Sequence, residues 1–207
     1  MRRRLSATRK ERLQVLRLTA TTHRYVGSRS PATATWHLTA WIEDDNEAEE
    51  IAQLTLVTGD VTAGNLWSDL DAQEADLEII ASAVLVPSTG EFREDLPIEA
   101  LGSGLIIAKT ARVVPEWRGF GLGPLLVAEA ITLLGDGCDI AACHPAPLVA
   151  GAKTPATRTS AVAKLQQLWS TLGFEQIPDS EVFVLDLTLR TLGAARGRLL
   201  RHFGLDT

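Results

Sequence analysis

The run Val113-Val114-Pro115-Glu116-Trp117-Arg118-Gly119-Phe120-Gly121-Leu122-Gly123 is where residue types and spacing could do chemistry. A strand-like apolar segment, residues 105–114, leads into it, and a helix-like segment, residues 124–134, follows. Strand, glycine-rich turn and helix build an anion site: glycines let successive amides turn inward, and the helix start adds its positive dipole end. The run is expected to hold a phosphate-bearing ligand. The bland alternative is a glycine-rich turn that joins strand to helix and binds nothing. Spacing narrows the ligand. A dinucleotide fingerprint needs Gly-x-Gly-x-x-Gly; Gly119 and Gly121 fit it, but the third glycine, Gly123, falls one place early and Pro124 stands where it should be. A Walker A loop needs a closing Gly-Lys-Ser/Thr, which is absent.

What remains is Arg118-x-x-Gly121-x-Gly123, preceded by Val113 and Pro115 and with Gly119 after the arginine. This resembles the pyrophosphate-binding signature of the GCN5-related N-acetyltransferase (GNAT) superfamily. Leu172-Gly173-Phe174 resembles the Leu-Gly-Phe that closes that family's fourth helix. Residues 105–187 follow the family's order of strand, glycine loop, helix, strand, helix and strand, which is about two-fifths of the chain. The resemblance implies an α/β (α+β) acyl-CoA N-acyltransferase fold, a mixed central sheet flanked by helices. It also implies acetyl-CoA as co-substrate and an amine acceptor that attacks the thioester directly in a ternary complex. A non-catalytic acyl-CoA-binding or interaction module on the same fold is the alternative.

The resemblance further implies that the fourth and fifth strands splay and that the pantetheine arm slots between them. Main-chain groups of Ala111, Arg112 and Val113 would bond the arm, with the Val113 N–H polarising the thioester carbonyl. Backbone amides of Gly119, Phe120, Gly121, Leu122 and Gly123 would hold the pyrophosphate, beside Pro124, which has no N–H. Arg118 would add a charged contact or simply make a surface salt bridge. An amine must lose a proton before it attacks, so a base or water chain is needed; Glu43, Asp44, Glu78 and His144 are the candidates, with Glu116 solvated. Where many relatives carry an acidic tyrosine, five residues before the phenylalanine of Leu-Gly-Phe, this chain has Trp169. Indole donates a hydrogen bond but no proton near neutral pH, so Trp169 would pack against cofactor or core. Tyr25, Cys143 or water would then act, or the thiolate would leave unassisted.

The elements that must position these groups are read from periodicity. Residues 13–26 read as a strand, and residues 33–43 alternate Trp36, Leu38, Ala40 and Ile42 on one face. An acidic turn over 44–50 and a strand over 51–58 complete a hairpin. From Ser68, Leu70, Leu77, Ile80 and Val84 recur at helical spacing behind acids, which predicts one helix. Residues 87–103 read as a loop, 139–143 as a strand, 145–159 as a mobile loop, 160–172 as a helix and 181–189 as a final strand. The family's usual two helices between its first and second strands have no room here. Instead a helix and loop, about 62–103, precede the fourth strand, and no acceptor carries over from a relative.

Composition sets the outer bounds. With 45% hydrophobic and 22% charged residues in 207, the chain reads as one globular domain, residues 13–189. A basic tail, 1–12, precedes it, and a basic tail or short helix, 190–207, follows. No apolar run approaches the about 20 residues that span a bilayer, and Met1-Arg2-Arg3-Arg4 lacks an apolar core behind it. A cytoplasmic protein with no membrane contact is expected. The net charge of −6 argues against general nucleic-acid affinity, and Arg2, Arg3, Arg4, Arg9, Lys10 and Arg12 read as a solvated or disordered tail. Cys138 and Cys143 have neither the spacing nor the histidines of a zinc site, so no metal is expected and packed, reduced thiols are. A homodimer is left open.

Overall fold

A computed structural model describes residues 6–23, 32–44, 47–99, 102–146 and 155–205. Tyr25, Arg2, Arg3 and Arg4 lie outside them. Seven strands form one mixed sheet: β1 (Leu16–Thr22), β2 (Thr33–Asp44), β3 (Glu47–Asp60), β4 (Gly104–Val113), β5 (Ile140–Cys143), β6 (Glu175–Gln176) and β7 (Phe183–Asp186). Their order across the sheet is β1-β2-β3-β4-β5-β7-β6. Among the described strands only the β4–β5 pair runs parallel. A mixed α/β sheet flanked by helices is what the sequence reading expects.

The helices cover both faces. On one face lie α4 (Leu122–Leu134) and α6 (Thr191–Phe203), packed over Leu38, Ile42, Leu56, Ile106 and Ala141. On the other, α2 (Leu66–Asp71) and α3 (Ala75–Val84) cover Val57, Leu105, Ile107, Ile140 and Val184. The β2 alternation holds: Leu38, Ala40 and Ile42 are buried on one side. The hairpin strands are longer than their apolar stretches, so the expected acidic turn shrinks and Glu47–Glu50 already belongs to β3. The final strand contracts to β7 and gains a short partner, β6. α5 (Pro155–Ser170) starts inside the segment read as a loop.

Two further expectations are corrected. The helix predicted from Ser68 to Val84 is two helices. In a continuous helix the Asp69 carbonyl would accept the Gln73 N–H; here the Gln73 side-chain amide takes it at 2.9 Å, and the Gln73 N–H turns to Leu70. The strand read from residue 13 begins at Leu16, because Ala7–Leu13 is helix α1. The Ser6 hydroxyl caps it by accepting the Arg9 N–H, and Leu13 anchors it in the core. In α6, buried Leu192, Ala195, Leu199 and Phe203 form one stripe, and Arg196 pairs with Glu129 of α4 at 2.9 Å. The Gln14 side chain donates to the Gly204 carbonyl at 2.8 Å, which ties the ends of α1 and α6 together.

At Gly104 the start of β4 runs against the 137–138 turn: a Cβ there would collide with the Gly137 carbonyl oxygen and stand 2.6 Å from the Cys138 Cα. Both are backbone atoms that cannot swing aside. Gly104→Ala is expected to lose about 1–3 kcal/mol of stability, the usual scale of overpacking, read as a lower urea midpoint with unchanged slope.

Candidate functional site

β5 pairs with β4 from Leu105/Ile140 to Ile107/Ala142 and ends at Cys143. Pro145 has no N–H for a ladder, and the Ala146 N–H turns back to the His144 carbonyl at 2.8 Å. β4 continues to Val113, held on its other side by β3. Its edge from Ala108 to Val113, about 17 Å at strand rise, therefore faces a split. Direction along that edge is fixed by one bond: the Val114 N–H donates to the Ile51 carbonyl on β3 at 2.9 Å. Successive residues point their amides to opposite sides, so the N–H and C=O groups of Val113 and Ala111 face the split. The Val113 carbonyl accepts a hydrogen bond from Arg118 Nε at 2.7 Å. Arg118 makes no surface salt bridge among the described residues; it folds over the end of the strand. Arg112 is exposed and alternates away from the split.

The strand runs into a single 3₁₀ turn, Pro115–Trp117, and then the glycines. Gly119 and Gly121 have φ of 84° and 92°, the left-handed region that other residues enter only with strain. Gly121 is the N-cap of α4, which has no side-chain cap and no acid in its first turn. The N–H groups of Gly121, Leu122 and Gly123 have no intrahelical acceptor, and Pro124 has no N–H to present. Phe120 and Leu122 are buried, so only their backbones can serve a ligand. Pro124 lies inside α4, which begins at Leu122, two residues earlier than the apolar pattern suggests. The arrangement is an open anion cradle at the mouth of the split.

Sequence reasoning missed what braces the cradle. Arg9 of α1 lies over the Phe120 ring at 5.0 Å and the Trp117 ring at 5.5 Å, and Arg12 lies 5.9 Å from Trp117. Trp117 Nε1 donates to Glu49 at 3.1 Å, and Arg12 pairs with the other oxygen of that carboxylate. Burial pushes the Glu49 carboxyl up, but hydrogen bonds from Trp117 and Arg12, with the charges of Arg12 and Arg9, outweigh it and hold the group below its ordinary value. The signal available in sequence was Ser6 ahead of Arg9, Arg12 and Leu13 at helical spacing.

The inner end of the split carries charge. His144, with 13% of its side chain exposed, places Nδ1 3.8 Å from Asp76 and Nε2 3.4 Å from Glu181. Its Nδ1 is buried without a hydrogen-bond partner. Lys109, 17% exposed, pairs with Glu74 at 2.6 Å. Glu78, the other acid of α3, is exposed and makes no ion pair among the described residues. Glu43 pairs with Arg17 at 2.6 Å on β2, two strands from the split, and Asp44 ends that strand. Trp169 stacks edge-on against Phe174, ring centroids 5.1 Å apart, and packs on the core. Cys143 is wholly buried facing α4, and burial pushes its thiol well up; Cys138 is pushed up to about 11, by burial first and then by nearby carboxylates. A polar depression between α5 and the β6–β7 edge, around Gln166, Ser170, Gly173 and Phe183, lies beyond β5 from the split. Among the described residues no cluster of three or more metal-ligating side chains occurs, and no helix is long and apolar enough to cross a membrane.

No protein-family model matches the chain, and no curated protein matches it. Among solved structures, the crystal structure of AtaTR bound with AcCoA aligns with 88% of this chain and 98% of its own, at 11% identity and a TM-score of 0.39. A likeness of that size carries no argument about this chain's chemistry, which rests on the split and the cradle.

Because the folded Glu49 carboxyl lies below its ordinary 4.5, its stabilising contribution is present above that value and is lost as pH falls through the lowered folded one. Glu49→Gln should therefore lower the urea midpoint at pH 7 and narrow the difference between pH 7 and pH 3. An equal acid loss in both proteins would remove Glu49 from the account.

Proposed function

We propose that this protein is an N-acetyltransferase that takes its acetyl group from acetyl-CoA and passes it to an amine by direct attack. One observation carries the reading: the edge of β4 from Ala108 to Val113, without a strand partner among the described residues, leads through one 3₁₀ turn into the uncapped N-terminus of α4. Acetyl-CoA has the matching two-part chemistry. Its pantetheine arm carries amides that can complete a strand edge, and its diphosphate needs converging N–H donors.

With the diphosphate on Gly121, Leu122 and Gly123, the arm runs back along β4 and its thioester reaches the inner end of the split. The N–H groups facing the split, Val113 near the mouth and Ala111 deeper, are then placed to bond the arm and the thioester oxygen. An N–H aimed at that oxygen stabilises the negative charge it gains as the amine adds. His144, at the inner end, is the candidate base: its Nε2 would take the proton the amine must shed, with Asp76 and Glu181 beside the ring. Glu78 and Trp169 have weaker claims, Glu78 through its exposure and Trp169 through its stacking on Phe174. That packing also favours the second reading, an acyl-CoA-binding module without turnover, because α5 then offers no proton to a leaving thiolate.

Acetyl-CoA and CoA should raise the melting temperature of the protein, since a ligand bound only to the native state adds about 2.7 kcal/mol at a hundredfold excess over Kd. Gly121→Asp should abolish the shift by putting bulk and negative charge in the cradle, at a cost of about 1–2 kcal/mol for the left-handed φ. Affinity retained by that variant would mean that the phosphates bind elsewhere. Binding without thiol release across a broad panel of amines would favour the module.

A further inference from the structure

We infer that Lys109 is a catalytic residue: its ammonium protonates the departing CoA thiolate, opposite His144 across the inner end of the split. The inference rests on the acetyl-CoA reading above and adds the acid which that reading lacks.

The sheet places the pair. β4 and β5 are in register at Leu105/Ile140 and Ile107/Ala142, and all four side chains lie on the α2–α3 face. Continuing that register by two residues sets Lys109 opposite His144, on the same face, where β5 has stopped hydrogen-bonding. The two side chains reach the same short stretch of helix: Lys109 pairs with Glu74, the N-cap of α3, and His144 lies beside Asp76 two residues on.

The strand is built to present Lys109 there. β3 pairs Thr55 with Thr110 and Leu56 with Ala108, so Lys109 is the extra residue of a β-bulge. Before the bulge Ile106 and Ala108 face α4; after it Ala111 and Val113 pack on that same side. The bulge thus resets the alternation while Lys109 stays on the α3 face. Glu74 occupies one of the three N–H donors of the ammonium, which leaves two for a ligand. Exposure of 17% keeps the group in reach of a ligand but out of bulk water.

The step balances. The amine nitrogen bonds to the thioester carbon, and its proton passes to His144. The tetrahedral intermediate collapses, the C–S bond breaks, and its electron pair goes to sulfur. Lys109 Nζ gives sulfur a proton, so CoA leaves as the thiol. His144 then loses its proton to water and Lys109 regains one. Among the described residues, the charged groups of the packed elements at this corner are Glu74 and Asp76 at α3, His144 beyond β5, and Glu181 ahead of β7.

The test compares CoA with acetyl-CoA by calorimetric titration from pH 6.5 to pH 8.5. CoA has a titratable thiol and acetyl-CoA has none, so their ratio of affinities isolates the sulfur from every other group. A cation within about 4–6 Å lowers the pKa of an acid by about 1–3 units. CoA should therefore tighten about tenfold relative to acetyl-CoA over that range in the wild-type protein. Lys109→Met and Lys109→Gln, each verified by a cooperative melt, should bind acetyl-CoA as the wild type does and lose that tightening. An unchanged pH dependence in both variants overturns the proposal, as does a wild-type ratio that ignores pH. Loss of acetyl-CoA binding in both folded variants gives Lys109 a binding or structural role and also overturns it. A wild-type protein that binds neither ligand overturns the acetyl-CoA reading itself, and this one with it.

Discussion

The structure turns on the place where two strands part. The β4–β5 pairing ends at Ile107/Ala142, Pro145 lacks an N–H three residues on, and among the described residues six residues of β4 keep one edge without a strand partner. Backbone amides in a folded protein need acceptors and carbonyls need donors. A split sheet therefore leaves a need along its inner edge that water or a peptide-like ligand can meet. Arg118 meets part of it by bonding the Val113 carbonyl, and the remainder is open to a ligand. The parallel β4–β5 pairing matters equally, since it holds the two strands together at Leu105–Ile107 and fixes where they part.

The cradle at the outer end has the same physical origin. α4 begins at a left-handed glycine with no capping side chain, so its first amides lack acceptors and its dipole end is bare. Around it the protein places positive charge and aromatic surface. Arg9 and Arg12 stack on Trp117 and Phe120, Glu49 is already engaged by Trp117 and Arg12, and Glu116 stands exposed in the turn before the glycines. At the inner end the order is reversed, with carboxylates surrounding a histidine and a lysine. The split thus joins a mouth of uncapped amides and arginines to an interior of carboxylates around a histidine and a lysine.

How much of this was legible in sequence follows from how local each feature is. The glycine loop was readable because its backbone conformation demands particular residues at particular positions, and the β2 face because alternation is a local pattern. The broken helix at Gln73 was not, since a glutamine amide competes with its own backbone only when Thr33 is there to share it. Helix α1 was read as a tail because its arginines gain their meaning from Trp117, Phe120 and Glu49, all distant in the chain. His144 was found from its place after a strand, but its companions Asp76 and Glu181 were not. Lys109 was invisible: nothing in the sequence marks it as the bulged residue, and its partner Glu74 is 35 positions away.

The bond between Gln14 and Gly204 spans 190 positions and joins the first described helix to the last. Contacts of such separation close late, because the loop entropy must be lost before they form. On the ribosome, α1 emerges 190 positions ahead of its partner at the end of α6. The helix that lays Arg9 and Arg12 over the cradle therefore cannot be locked by that bond until α6 has emerged. Glycine loop, split and charged interior can all fold before then, and the clasp that holds α1 in place is the last piece set.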